Sequence, residues 1–251
     1  MNYKHCLLAG LTVVSVVGIF LLRPIAQPVV FHRFADGREF LGVPNGANVL
    51  SNIFLLIVGG VGLVAVRRGA GSRGSVFLYG MLFLGVALTG VGSAWYHMSP
   101  DNDRLVWDRM PMTIVFMALL SIVVAEFVNM RLGVVLLVPL VVIGVGSVWL
   151  WHFTEEWGFG DLRLYYWVQF YPMVMVPLIL WLYGSGRKGM VRPLVWVVVW
   201  YAAAKVLEWK DWEVYRGIGV SGHTLKHIAA AVSAGYFVVL FRRRVTVNGD
   251  R

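Results

Sequence analysis

The stretch that decides the fold is "LGVVLLVPLVVIGVGSVWLW", residues 132–151, which contains no charged side chain. The apolar core of a bilayer needs about 20 residues of helix to cross it, and this stretch has that length. Its apolar residues are continuous and do not alternate with polar ones, which favours a helix over a strand of a membrane barrel. The stretch therefore predicts one membrane-spanning helix.

Similar apolar stretches recur along the whole chain. The protein is 59% hydrophobic and only 14% charged, with a mean hydropathy of +0.72. A soluble domain of this size has no interior large enough for so much apolar surface. We therefore predict an all-α membrane protein of one domain, with further spans near residues 6–22, 48–66, 76–96, 110–127, 165–183, 191–207 and 224–241.

The first span is predicted to stay attached. It follows "MNYKH", and the "RPIAQP" after it (residues 23–28) has no small-residue cleavage pattern, so it is interpreted as a signal-anchor helix. The single cysteine, Cys6, excludes an internal disulfide and any CxxC metal site.

The charges predict the orientation. Eight spans place both termini on one side of the membrane, where 12 Lys and Arg face two acidic residues, while the other side carries a net charge of −1. The positive-inside rule then places both termini in the cytoplasm, and the compact loops favour a bacterial inner membrane. The basic "FRRRV" at residues 241–245 is expected to meet anionic lipid headgroups, so we predict no nucleic-acid partner.

Unusual polar residues gather at the predicted outer face. The stretch "GSAWYHMSPDNDRLVWDRM", residues 92–110, places Ser93, His97 and Asp108 there. The last span opens with "SGHTLKHIAAA", residues 221–231, in which His223 and His227 share one helix face because they are four residues apart. Ionisable groups inside a span cost ~3 kcal/mol or more each near its centre and usually mark function.

These residues suffice for a hydrolase site. A catalytic zinc ion takes three protein ligands and keeps one position open, and three histidines supply that number. Bound zinc lowers the pKa of its water to about 7. Asp108 could take the proton of that water and pass it to a leaving amine, while Ser93 could donate a hydrogen bond to the oxyanion.

Each residue also has a simpler interpretation. Two histidines four residues apart often only cap a helix or form hydrogen bonds, and a histidine such as His97 at a helix end is often interfacial. Asp108 could be the N-cap of the fourth span, and Ser93 a small residue for close helix packing. Lys226 is expected to point away from the two histidines beside it and to extend to the interface. The presence of three histidines on one membrane face favours a shared site.

The full pattern resembles the alkaline ceramidase family, part of a superfamily of seven-helix intramembrane hydrolases that includes the progestin and adiponectin receptors. That pattern is S-x3-H, then D in D-x-x-P-M, then H-x3-H on the last helix. The stretch "PNGANVLSNIFLL", residues 44–56, also resembles the N-x-x-S-N start of the family's first helix. The resemblance covers roughly residues 36–241, and its positions here are Ser93, His97, Asp108, Pro111, Met112, His223 and His227, with Asn48, Ser51 and Asn52.

The resemblance implies a fold and an activity. Residues 36–241 would form the seven-helix domain, residues 1–35 an additional signal-anchor helix with an outer linker, and residues 242–251 a basic cytoplasmic tail. The activity would be zinc-dependent cleavage of the N-acyl amide of ceramide or a related lipid, which enters from the outer leaflet of the bilayer. The implied zinc ligands are His97, His223 and His227, with Asp108 as general acid and base and Ser93 as oxyanion donor.

A calcium site is a further implication, because family members often carry one before the first helix of the seven. The corresponding residues here are Asp36, Glu39, Asn45 and Asn48. Asn45 stands where an acidic residue is expected, and fewer charges weaken calcium binding. The alternative is that "ADGREF", residues 35–40, is a surface turn and "PNGAN", residues 44–48, caps the second span.

Two other classes of function remain open. A lipid-sensing, receptor-like protein with a structural zinc would share the histidines, although short loops and the lack of a soluble signalling domain argue against it. A transporter would be expected to have paired half-helices broken near the middle of the membrane, and the sequence has no convincing pair.

Overall fold

The computed structural model describes residues 3–249, and the side chains of residues 3–245. The protein is 81% helical, with no β-strand among the described residues. Eight segments of this part of the chain are long and apolar enough to span a membrane, which confirms the predicted all-α membrane bundle. The helices are α1 (Tyr3–Leu21), α2 (Gly46–Leu50), α3 (Ile53–Arg68), α4 (Arg73–Met98), α5 (Asn102–Phe127), α6 (Met130–Glu156), α7 (Arg163–Tyr183), α8 (Lys188–Trp209), α9 (Asp211–Ile218) and α10 (Gly222–Gly249).

Helix α5 lies at the centre of the bundle and is buried along nearly its whole length. It packs against α4, α6 and α7, while α10 packs against α3 and α8 and closes the other side. Apolar side chains also face outward: Val135, Val138 and Val142 of α6 are 68%, 56% and 64% exposed. Such a surface suits lipid, because lipid tails are as apolar as these side chains.

Helix α1 lies at the edge of the bundle. None of its residues is buried, and it contacts α7. Trp167 Nε1 donates a hydrogen bond to Ser15 Oγ at 3.0 Å, and the hydroxyl oxygens of Thr12 and Tyr171 lie 2.5 Å apart. These contacts attach α1 to one face of the bundle.

Helix α5 begins earlier than predicted, at Asn102 and not at residue 110. Its N-cap is Asp101, whose side chain accepts a hydrogen bond from Arg104 N at 2.7 Å. The interpretation of Asp108 as the N-cap is therefore wrong, because Asp108 lies inside the helix and its carboxylate is not used as a cap.

Helices α4 and α5 approach each other very closely at Gly92. A Cβ atom at this position would overlap the backbone carbonyl of Trp107, so only glycine fits without a shift of one helix. Gly92 provides the close packing that the sequence analysis offered as an alternative role for its neighbour Ser93. The approach places Ser93 of α4 next to Asp108 of α5.

Helix α4 ends, and α5 and α10 begin, at the same end of the bundle. We call this end the site end. The segment between α1 and α2, residues 22–45, lies over it and contains a short 3-10 helix, Val29–His32. Leu162 N donates a hydrogen bond to Ile25 O at 2.8 Å. At the opposite end, Arg244 Nε lies 3.3 Å from Glu126 Oε1. The predicted basic tail begins as the last turns of α10, and its residues 250–251 lie outside the described part of the chain.

Candidate metal centre

Three buried histidines meet at the site end. His97 comes from the last turn of α4, and His223 and His227 come from the first two turns of α10. One nitrogen of each ring lies within 4.8 Å of the others. Nε2 of His97 and Nε2 of His223 are 3.2 Å apart. Among the described residues, this is the one set of three or more His, Cys, Asp or Glu side chains gathered closely enough to hold a metal ion.

One pair of donor atoms has the separation expected of two ligands in a tetrahedral site. Zinc–nitrogen distances of about 2.0–2.1 Å place two ligating nitrogens about 3.4 Å apart, close to the observed separation of the His97 and His223 nitrogens. Nε2 of His227 is buried and has no hydrogen-bond partner among the described residues. Buried polar atoms are rarely left without a partner, and a metal ion between the three rings would supply one.

A serine of the second span fixes the third ring. Ser51 Oγ lies 2.7 Å from Nδ1 of His227, and the same hydroxyl donates to Asn48 O at 3.0 Å. The amide oxygen of Asn48 accepts hydrogen bonds from Ser221 at 3.1 Å and Thr224 at 2.7 Å. Asn48 and Ser51 of the N-x-x-S-N motif therefore hold the start of α10 and orient one of its histidines.

Asp211 is a positioning residue that the sequence analysis missed. Its buried carboxylate accepts a hydrogen bond from His223 N and another from Ala35 N, both at 2.9 Å. It thus joins the segment of residues 22–45 to the start of α10. Phe34 of that segment lies against the triad, with its ring centroid 4.6 Å from that of His97 and 4.5 Å from that of His223. Asp211 lies in an amphipathic stretch of charges and tryptophans, where no local pattern distinguishes it from a surface residue.

A cavity of about 350 Å³ opens beside the triad. Ser93, Asp108, His223 and His227 all line it. Toward the middle of the bundle, an apolar pocket of about 110 Å³ shares wall residues such as Leu55 with the cavity. The structure thus brings together the five polar residues that the sequence analysis selected, three as a triad and two beside it.

The side chain of Lys226 does not lie where the sequence predicted. It lines the cavity, where its Nζ lies 2.9 Å from Nε2 of His223 and 3.2 Å from Oε1 of Glu208. The expectation that Lys226 points away from the histidines to the interface is wrong, because Glu208 on α8 offers it a partly buried carboxylate. Lys205 also pairs with Glu208. Lys205 and Glu208 lie near the end of α8, and the separate amphipathic helix α9 follows.

Three of the four residues of the predicted calcium site have other hydrogen-bond or ion-pair partners, and the fourth, Glu39, is exposed. Arg38 Nη2 lies 2.7 Å from Asp36 Oδ2, and this hydrogen bond lowers the pKa of the Asp36 carboxyl. Asn45 donates to His97 O at 2.9 Å, Asn48 holds α10, and Glu39 is exposed. Calcium binding here stays a prediction, and it would require Arg38 to leave the carboxylate of Asp36.

Comparisons with known proteins add nothing to this geometry, because no protein-family model matches the chain and no curated protein matches it. The site is therefore interpreted from its own residues.

Proposed function

We propose that this protein is a zinc-dependent intramembrane amidohydrolase that cleaves the N-acyl amide of ceramide or a related lipid to a long-chain base and a fatty acid. One observation carries the proposal. Two histidines of a buried triad line the same cavity as a serine–aspartate pair, Ser93 and Asp108. A metal with three protein ligands, a carboxylate and a hydroxyl donor are the parts that amide hydrolysis needs.

Each residue has a defined part in the proposed reaction. Zinc bound by the three histidines would supply a Lewis acid and lower the pKa of a water molecule. Asp108 accepts a proton from the attacking water and returns it to the amide nitrogen as the carbon–nitrogen bond breaks. The Ser93 hydroxyl donates a hydrogen bond to the carbonyl oxygen as negative charge develops there. Ser51 and Asp211 act through the histidines and keep the triad in position.

The apolar pocket next to the cavity suits an acyl chain. It lies between α3, α4, α5, α7, α8 and α10, and most of its wall residues are apolar, including Val86, Phe116, Leu119 and Phe237. A fatty acyl chain in this pocket would place its amide in the polar cavity. With cytoplasmic termini, as the positive-inside rule predicts, the site end faces outward and the lipid enters from the outer leaflet.

The second candidate is a lipid-sensing, receptor-like protein in which zinc is structural. A structural zinc site usually has four protein ligands and no open position, whereas the described residues bring three together here. A set of three histidines beside a cavity lined by Asp108 favours the hydrolase.

The test compares the wild type with Asp108→Asn and with Asp101→Asn as the matched control on the same helix. Asp101 is an N-cap, a position where asparagine serves as well as aspartate. Zinc content is measured on each purified full-length protein, together with fatty-acid release from N-acylated sphingoid bases.

We expect one zinc per chain in all three proteins, and release at least about 100-fold slower with Asp108→Asn alone. Equal release by the wild type and Asp108→Asn would overturn the role of Asp108. Zinc without cleavage of any amide lipid would favour the sensor.

A further inference from the structure

The cavity beside the triad holds more positive than negative side chains. Arg109, Lys205 and Lys226 line it, against the carboxylates of Asp108 and Glu208. A metal ion on the neutral histidines would add two further positive charges. Charges in such an apolar site are costly unless a partner of opposite sign or a hydrogen bond satisfies them.

Arg109 is the least satisfied of these groups. It is 3% exposed, and no carboxylate among the described residues lies within 4.0 Å of its nitrogens. Its Nη2 donates to Gln27 Oε1 at 2.6 Å, whereas Nη1 is buried without a hydrogen-bond partner. The guanidinium carbon lies 4.3 Å from the ring centroid of Trp151 and 4.6 Å from that of Tyr165. These rings hold the guanidinium in place, and its Nη1 is left without a hydrogen-bond partner.

The two lysines share one carboxylate. Lys205 and Lys226 both pair with Glu208. These two ammonium groups and one carboxylate together carry a net charge of one positive unit. The Lys226 ammonium also lies 2.9 Å from His223 Nε2. A metal ion held by His223 would repel the Lys226 ammonium. The cavity is the open space beside this ammonium.

We propose that the cavity takes an N-acyl lipid whose head group carries an anion, a carboxylate or a phosphate, close to the amide nitrogen. The unpartnered Nη1 of Arg109 and the surplus charge of the lysine pair bind that anion, and the acyl chain fills the apolar pocket. A guanidinium fork matches the oxygens of carboxylate and phosphate groups. The head-group preference specifies the substrate of the proposed amidase. The identity of the cleaved bond, the N-acyl amide, rests on that proposed function. The preference in binding does not depend on cleavage.

The experiment measures binding of three probes that share one acyl chain. They are N-palmitoylethanolamine, which is neutral, N-palmitoylglycine, which carries a carboxylate, and the phosphate monoester of N-palmitoylethanolamine. Dissociation constants are measured for zinc-loaded, full-length Ser93→Ala protein in an uncharged detergent at physiological salt. This background keeps every charge of the cavity while it slows turnover.

We expect at least one anionic probe to bind roughly tenfold more tightly than the neutral probe, which is the usual scale for hydrogen bonds to a charged group. Tighter binding of the glycine probe alone identifies a carboxylate, and tighter binding of the phosphate probe alone identifies a phosphate. Arg109→Gln should reduce the ratio to near one. Lys205→Gln should reduce the ratio too. Because the Lys205 side chain is partly exposed, this variant tests the proposal if Arg109→Gln does not fold. Lys210→Gln removes a lysine outside the cavity and should keep the ratio.

Equal binding of all three probes, or a ratio that both cavity variants leave unchanged, would overturn the proposal. Fatty-acid release by the wild type is measured in parallel on the same probes. Absence of release from every probe contradicts the amidase function, while the binding ratio still decides the head-group preference. The two failures are therefore distinguishable.

Discussion

Ser51 Oγ lies 2.7 Å from Nδ1 of His227, across 176 residues of sequence. The contact joins the second span to the last one at the candidate metal centre. It occupies one nitrogen of the imidazole and leaves Nε2 without a partner among the described residues. Histidine ligands of metals usually bond a second group through their other nitrogen, which fixes the ring orientation.

Ser51→Ala should weaken metal binding without abolishing it. Loss of such an outer partner typically costs about 10- to 100-fold in metal affinity, because the ring is no longer held in its ligating orientation. Competition titration of zinc against a chelator measures the change. The control is Ser233→Ala on the same helix as His227, where the buried hydroxyl donates to Val197 O at 2.9 Å. An equal loss of affinity in both variants would attribute the effect to general destabilisation of α10.

His223→Ala should remove the bound metal. Only two histidine ligands would remain, and Nε2 of His97 would lose the neighbour that lies 3.2 Å away. Metal content of the purified protein is the measurement. His152→Ala is the matched control, because His152 lies on α6 and its Nε2 is 3.5 Å from Glu156 and 3.8 Å from Asp103. Retention of one metal ion per chain by His223→Ala would contradict the assignment of the triad.

Gly92→Ala should lower the thermal stability in detergent. The added methyl group overlaps the backbone of Trp107, so α4 and α5 must separate, at a cost of about 1–3 kcal/mol. The same movement should slow any reaction that needs Ser93 beside Asp108. Gly80→Ala on the same helix has nothing within 4 Å of its added methyl group. We expect this control to unfold at the wild-type temperature or slightly above it, and an equal fall in both variants would refute the close approach.

The pair formed by Asp36 and Arg38 should make stability depend on acid pH. Because the hydrogen bond from Arg38 lowers the pKa of Asp36 in the folded protein, the pair stabilises the fold above the ordinary aspartate pKa of about 3.9. This contribution is lost as the pH falls through the lowered pKa. The difference in melting temperature between wild type and Asp36→Asn should be constant near neutral pH and shrink below about pH 4.

Glu39→Gln, which removes one negative charge from the same turn, controls for the change in net charge. A constant difference between wild type and Asp36→Asn down to pH 3 would contradict the prediction.

Much of the fold and part of the site could be predicted from local sequence. Each span is a continuous apolar run, and the length of such a run depends on the residues within it alone. The four-residue spacing of His223 and His227 fixes their common helix face in the same local way. His97 and Asp108 could be assigned to the same membrane face because the number of spans between them and α10 is known.

Long-range contacts could not be predicted in this way. Lys226 was expected at the interface because its own helix gives no reason to turn it inward, and the reason is Glu208 on a neighbouring helix. Asp211 lies among the charges of the amphipathic helix α9, and its role depends on His223 N and Ala35 N, which are distant in sequence. The position of the Arg109 guanidinium depends on the aromatic rings of three different segments.

The sequence by itself therefore determined the number of spans, the grouping of the polar residues at one end of the bundle, and the three histidines as candidate ligands. Hydrophobic length and helical periodicity are properties of contiguous residues, and they are sufficient for those conclusions. Only the tertiary structure decided which side chains meet at the cavity and which charges remain without a counter-charge there. Those relationships depend on how closely the helices approach, as at Gly92, and that approach is set by residues far apart in the chain.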